Sequence, residues 1–242
     1  MSVIINPFVL ASAAGGDPFF SDVVGLWGWE AASPSHLLDE STFGNDLTAQ
    51  SSFNRATNVA KFGTASAGRT ATASASRAIR PAASAGDFIF SGAFTAECWF
   101  YSGSALATSD QGLISKWGAA SGGIRSFALW YDRAGGLRGE VSTDGVAVTT
   151  ITGGTIAQDI WYHACLERNS SDLVRLYLDG VVVGSATVTG ALFNNSTQNL
   201  DIAGHANANG QADNRIDEVR VTRNQARYNG AFTPPTDAFP RS

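Results

Sequence analysis

The chain has 242 residues, 15% of them charged and 44% hydrophobic, with 26 Gly and 14 Phe; such a composition can bury a core and still supply many turns, which excludes intrinsic disorder. A formal net charge of -5 excludes the basic face that binding a phosphate backbone requires, so no nucleic-acid partner is expected. The length suits one large β-sandwich or barrel, or two small domains, and one domain is the preferred reading. Helix formers are scarce and Thr, Val, Ile, Phe, Trp and Tyr are plentiful, as pleated strands prefer.

Residues 1–22 begin apolar and become rich in Ala and Gly, so they read as an extended arm that wants a partner, with Ile4, Ile5, Pro7, Phe8, Val9 and Leu10 as its adhesive part. The opening carries no Lys or Arg and is interrupted by Pro7, which argues against a signal peptide. No run approaches the roughly 18 apolar residues that span a bilayer, so no membrane span is expected and the chain reads as soluble and made in the cytoplasm. A first strand fits residues 25–31, GLWGWEA, followed by a polar loop through Pro34, His36, Asp39 and Asn45. Small residues dominate 60–85, where KFGTASAG and SRAIRPA suggest two short strands.

The strongest strand signal is FTAECWFY, residues 94–101, with Phe94, Ala96, Cys98 and Phe100 on one face and Thr95, Glu97, Trp99 and Tyr101 on the other. Strands are then expected over 112–117, 126–132, 137–143 and 146–152, separated by Gly-rich turns in the manner of an antiparallel meander. The segment 161–169, WYHACLERN, is another. Over 173–188, Asp179-Gly180 separates two alternating apolar runs, a hairpin signal. Two last strands are read at 199–205 and 214–223; helical periodicity is absent apart from single turns near Pro18 and Gln225. Cys98 and Cys165 lie inside apolar runs, where a free thiol packs as a small hydrophobe; a disulfide across neighbouring strands is the alternative.

The order of FTAECWFY, WYHACLERN, LYLDGVVVG, LDIAGH and RIDEVRVTRNQARYNGAFTPP resembles the laminin-G-like, concanavalin-A-like jelly-roll domains, over about residues 24 to 240. The resemblance implies an all-β fold, a two-sheet antiparallel jelly-roll sandwich over residues 23–242 with the arm at 1–22. The ending ARYNGAFTPPTDAFP and an opening like INPFVL resemble versions of this domain found in tailed-bacteriophage virion proteins.

Related sandwiches include glucanases, so catalysis is tested first. Asp213 and Asp217 would share a strand face with Arg215 between them and Glu218 pointing to the other side, which is not the paired-carboxylate pattern of those enzymes. The resemblance makes Ile216-Asp217-Glu218 structural, with a carboxylate paired to Arg220 or Arg223. No G-x-S-x-G segment or zinc spacing occurs, and His163 is expected as a hydrogen-bonded, part-buried ring; no catalytic residue is assigned. The resemblance also allows a rim calcium ion, with Asp132, Asp213 and Asn214 as ligands; no other cofactor is expected. Sugar stacking is read at the strand ends, on Trp117, Trp130 and Tyr131 with the amides of Asn207 and Asn209, while Trp27, Trp99 and Trp161 are expected to pack into sheets.

Two function classes remain. One is a non-enzymatic structural protein of a bacteriophage virion (head decoration, head fibre or tail appendage), assembled in the host cytoplasm, with other virion proteins and a homo-oligomer as partners. The other is a carbohydrate-binding lectin or adhesin module, extracellular or at a cell surface, with cell-surface glycans as partners.

Overall fold

The computed structural model describes residues 16–69, 76–103, 110–118, 124–131, 136–204 and 214–242. Among these, the strands in chain order are β1 (Val23–Trp27), β2 (Thr48–Gln50), β3 (Phe53–Ala56), β4 (Ser66–Arg69), β5 (Arg77–Arg80), β6 (Phe94–Ser102), β7 (Gln111–Trp117) and β8 (Arg125–Tyr131). They continue as β9 (Leu137–Val141), β10 (Thr149–Gly153), β11 (Ile160–Arg168), β12 (Leu173–Leu178), β13 (Val181–Thr187), β14 (Leu200–Ile202) and β15 (Arg215–Arg223). Two antiparallel sheets result. The eight-stranded sheet has the order β13-β12-β11-β6-β15-β4-β3 with β1 also paired to β15, and the seven-stranded sheet has the order β10-β9-β8-β7-β14-β5-β2. The all-β jelly-roll sandwich that the alternation implies is the fold.

Alternation in β6 sends Phe94, Ala96, Cys98 and Phe100 into the core between the sheets. There Phe94 stacks on Phe90 with 4.6 Å between centroids and lies 5.5 Å from Phe127, while Phe100 stacks on Tyr131 at 5.1 Å. Cys98 pairs in register with Ala164, so Cys165, one residue along, points to the opposite face. Both thiols are free and buried, and burial pushes both pKa values up.

Where the strands stop has local causes. The expected run 146–152 begins only at Thr149 because the Asp144 carboxylate accepts from the amides of Val146 and Ala147, both at 2.8 Å, and holds them in a turn. The first strand ends at Trp27 because Trp29 takes a positive φ of 65° and leaves the ladder. The short β2 and β3 have no alternating apolar pattern and were not read from the sequence. At the β12–β13 turn Asp179 and Gly180 both have positive φ, 48° and 77°, as a two-residue hairpin demands. A Cβ on Gly180 would also collide with the Phe232 carbonyl oxygen, so this turn is a seat for the C-terminal segment.

Phe94→Ala is expected to cost about 3–5 kcal/mol, since it removes the ring between Phe90 and Phe127 and leaves a cavity. A urea titration checks this, and an unchanged midpoint would refute it.

Candidate functional site

The outward face of β6 is buried too: Thr95, Glu97 and Trp99 are at most 5% exposed. Its cover is the C-terminal segment, and the polar residues beneath it explain why the segment stays. Glu97 receives Arg220 Nε at 2.9 Å, Arg220 Nη2 at 2.8 Å and Tyr228 Oη at 2.5 Å, and lies 3.1 Å from His163 Nε2. Burial pushes the Glu97 carboxyl up, but Arg220 and the hydrogen bond with His163 outweigh it and hold the group well below the usual carboxylate range. His163 is therefore fully buried, not the part-buried ring expected, because Phe232 and Phe239 also pack edge-on against it at 5.6 and 6.3 Å. Glu167 accepts from the amides of Tyr228 and Asn229 at 2.6 and 2.9 Å, and Phe232 stacks on Tyr228 at 3.5 Å.

Asp17 joins the same network, accepting from Arg227 at 2.7 and 3.0 Å and from Arg220 at 3.1 Å. Of the arm drawn over residues 1–22, residues 16–22 thus lie against the sandwich, while Ile4, Ile5, Pro7, Phe8, Val9 and Leu10 fall outside the described residues. The Asp17 amide donates to the Ser242 carbonyl oxygen at 2.6 Å, which brings the two flanks of the domain together.

The expected pairing of the Ile216-Asp217-Glu218 stretch needs correction. The ladder of β15 shifts between Asp217 and Arg220, and Glu218 has a positive φ of 48°; this bulge turns both carboxylates to the outer face, where plain alternation would separate them. Glu218 pairs with Arg241, at 2.7 and 2.8 Å, while Arg220 serves Glu97 and Arg223 serves Asp87. Asp217 instead accepts from the backbone amides of Lys61 at 2.9 Å and Phe62 at 3.1 Å. Burial without a cationic partner pushes its pKa up to about 7. Asp213, the other half of that carboxylate pair, lies outside the described residues.

The residues read as a sugar site do not come together. Trp117 and Trp130 meet edge to face at 5.9 Å on the outer face of the seven-stranded sheet, yet they are only 5% and 6% exposed. Arg138 lies 4.7 Å over Trp130 and Arg125 lies 5.7 Å over Trp117, so these ring faces are already covered. Tyr131 is in the inter-sheet core against Phe100. Asn214 ties strand ends together, accepting from the Gly103 amide at 3.0 Å and donating to Gln111 Oε1 at 2.9 Å. Asp132, Asn207 and Asn209 lie outside the described residues, so of the calcium set only Asn214 is described. Among the described residues no group of three or more His, Cys, Asp or Glu is placed to hold a metal ion.

The aromatic pair that remains open was missed. Tyr101 at the end of β6 and Trp161 at the start of β11 are register partners on the outer face of the eight-stranded sheet, both partly exposed, with centroids 5.6 Å apart and planes at 49°. Tyr101 Oη donates to Asp159 Oδ1 at 2.8 Å, and Arg215 of β15 is the register partner of Tyr101 on its other side. The row Trp161–Tyr101 with Asp159 at its edge thus sets apolar ring surface beside a carboxylate, while the Arg215 side chain leans over Gly68 of β4 and donates to the Asn214 carbonyl oxygen at 3.0 Å. Two residues further along the same faces lie Trp99 and His163, where the cover from Phe232 and Phe239 begins. The alternation of WYHACLERN places Trp161 on the face away from the core, but only the path of the C-terminal segment decides that Trp161 stays open while His163 is sealed.

Residues 72–227 match the laminin-G type of the concanavalin A-like lectin/glucanases superfamily, and the chain belongs to that superfamily. In fold the chain is similar to the binding domain of Paraclostridial mosquitocidal protein 1 (14% identity, TM-score 0.65, 89% of this chain and 50% of that one). It is also similar to the botulinum neurotoxin serotype D ligand-binding domain in complex with N-acetylneuraminic acid (11%, 0.61, 86% and 49%). A third likeness is to the Trypanosoma rangeli sialidase (15%, 0.56, 88% and 31%). The chain therefore spans about half of the two toxin binding domains and about a third of the sialidase, and at these identities the likeness is one of fold. No curated protein matches the sequence.

Because the folded pKa of Glu97 is depressed, its network contributes stability above the ordinary carboxylate pKa of about 4 and loses it as pH falls towards the folded value. Glu97→Gln is expected to cost about 3–5 kcal/mol at neutral pH, since it leaves Arg220 buried without its charge partner. It should also flatten the loss of stability on acidification; urea midpoints equal to wild type across the acid range would contradict both.

Proposed function

We propose that the chain is a non-catalytic carbohydrate-binding module that grips its ligand on the Tyr101–Trp161 platform. The observation that carries this reading is the partly exposed aromatic pair with Asp159 at its edge. Ring faces take the apolar side of a sugar, and the Asp159 carboxylate at the edge bonds its hydroxyls. Elsewhere on this sheet face Glu97, Glu167 and Glu218 are engaged in holding the chain's own C-terminal segment and Asp217 in holding the backbone of Lys61 and Phe62, which leaves recognition to the partly exposed end. The likeness to binding domains, one of them in complex with N-acetylneuraminic acid, points the same way. Trp161→Ala is expected to abolish retention on a glycan array with an unchanged melting temperature. Failure of the wild-type chain to bind any glycan, or full binding by the variant, would sink the reading.

A second reading concerns where the module works. Gly16 and Asp17, which follow the apolar residues 4–10 in sequence, sit against the sandwich beside Ser242. We propose attachment to a bacteriophage particle through this segment, with a homo-oligomer or other virion proteins as its partners; an extracellular or cell-surface setting is the alternative. Deleting residues 1–15 should leave the melting temperature unchanged, since Asp17 is kept, and convert an oligomer into a monomer by light scattering. Identical masses before and after deletion would refute the arm's role.

A further inference from the structure

We infer that the ligand of the platform is an acidic sugar, one bearing a carboxylate or a sulfate, whose charge is met by Lys61; this rests on the carbohydrate-binding reading. Among the described residues eight arginines each meet a carboxylate, Arg220, Arg227 and Arg241 of this face among them. Of the two lysines, Lys116 is buried and donates to the Gln198 carbonyl oxygen at 2.7 Å. Lys61 differs. Its ammonium lies 3.8 Å from the centroid of the Trp99 ring and meets no carboxylate among the described residues.

The placement of Lys61 is built into the fold. Its backbone amide and that of Phe62 are held by the buried Asp217 carboxylate, at 2.9 and 3.1 Å, and the Phe62 ring packs edge-on against Trp99 at 5.7 Å. The clamp fixes the main chain and Trp99 fixes the side chain, so the ammonium is ordered without a counter-ion. Trp99 and Tyr101 are two residues apart on one strand face, roughly 7 Å, so the ring that carries the ammonium is the platform's neighbour along the strand. The nearby carboxylates have other partners: Asp217 accepts from backbone amides, Glu218 pairs with Arg241, and Asp159 accepts from Tyr101. A ligand anion would pair with a cation that meets no carboxylate among the described residues, in a chain whose net charge of -5 otherwise repels acids.

The test compares retention of the full chain on sialylated, sulfated and uncharged forms of the same oligosaccharides, for wild type, Lys61→Gln and Lys61→Arg. Wild type is expected to hold at least one acidic form about tenfold more tightly than its uncharged form, the gain of one charge-assisted contact. The sialylated and sulfated arms tell which acid is preferred. Lys61→Gln should lower the acidic form to the level of the uncharged one, leave the uncharged form unaffected, and be reversed by Lys61→Arg. Equal retention of acidic and uncharged forms, or an acid preference that survives Lys61→Gln, would overturn the inference while leaving carbohydrate binding intact. No retention of any form would overturn both.

Discussion

Glu97 is the group on which the outer half of this sandwich depends. A carboxylate with no solvent access is tolerable only if its charge and lone pairs are met, and here Arg220, His163 and Tyr228 meet them from three directions. Two of the three come from neighbouring strands and the third from the C-terminal segment. The segment is thus fastened by a polar network before any apolar contact counts, with Asp17 completing the arrangement through Arg220 and Arg227. Phe232 and Phe239 then close over His163 and Arg220, the latter with its guanidinium 3.9 Å from the Phe239 centroid. A sheet face that would otherwise be solvated becomes a second, polar core.

That arrangement also determines where the molecule can touch something else. The segment stops short of the end of β6 and the start of β11, so Tyr101 and Trp161 stay partly exposed while Trp99 and His163 are enclosed. On the opposite face of the sandwich, Arg138 and Arg125 already cover Trp130 and Trp117. The bulge at Asp217–Glu218 links the two regimes: Glu218 holds the segment through Arg241, and Asp217 holds the stretch that carries Lys61 and Phe62 against Trp99.

Much of the fold was legible in the sequence because it rests on short-range signals. Strict alternation in FTAECWFY gave β6 and its core face, Asp179-Gly180 gave the β12–β13 hairpin, and Gly-rich turns marked the meander β7 to β10. Less of the site was legible, because it depends on what lies over each face. Alternation assigns Trp130 and Trp161 alike to outward faces. Their difference comes from Arg138 in one case and from the path of residues 226–239 in the other, both set by tertiary packing. The partner of Glu218 was misread for a related reason: a bulge changes the face of every residue it displaces, and nothing within IDEVRV announces it.

The most direct test of the account is an NMR titration of the full chain with a sugar that it retains, following backbone amides and tryptophan indoles. The account predicts that the largest shifts fall on the Trp161 indole and on the amides of Tyr101, Asp159 and Lys61, with Trp117 and Trp130 unmoved. Shifts confined to Trp117, Trp130 and Arg138 would place the ligand on the opposite face of the sandwich and contradict it.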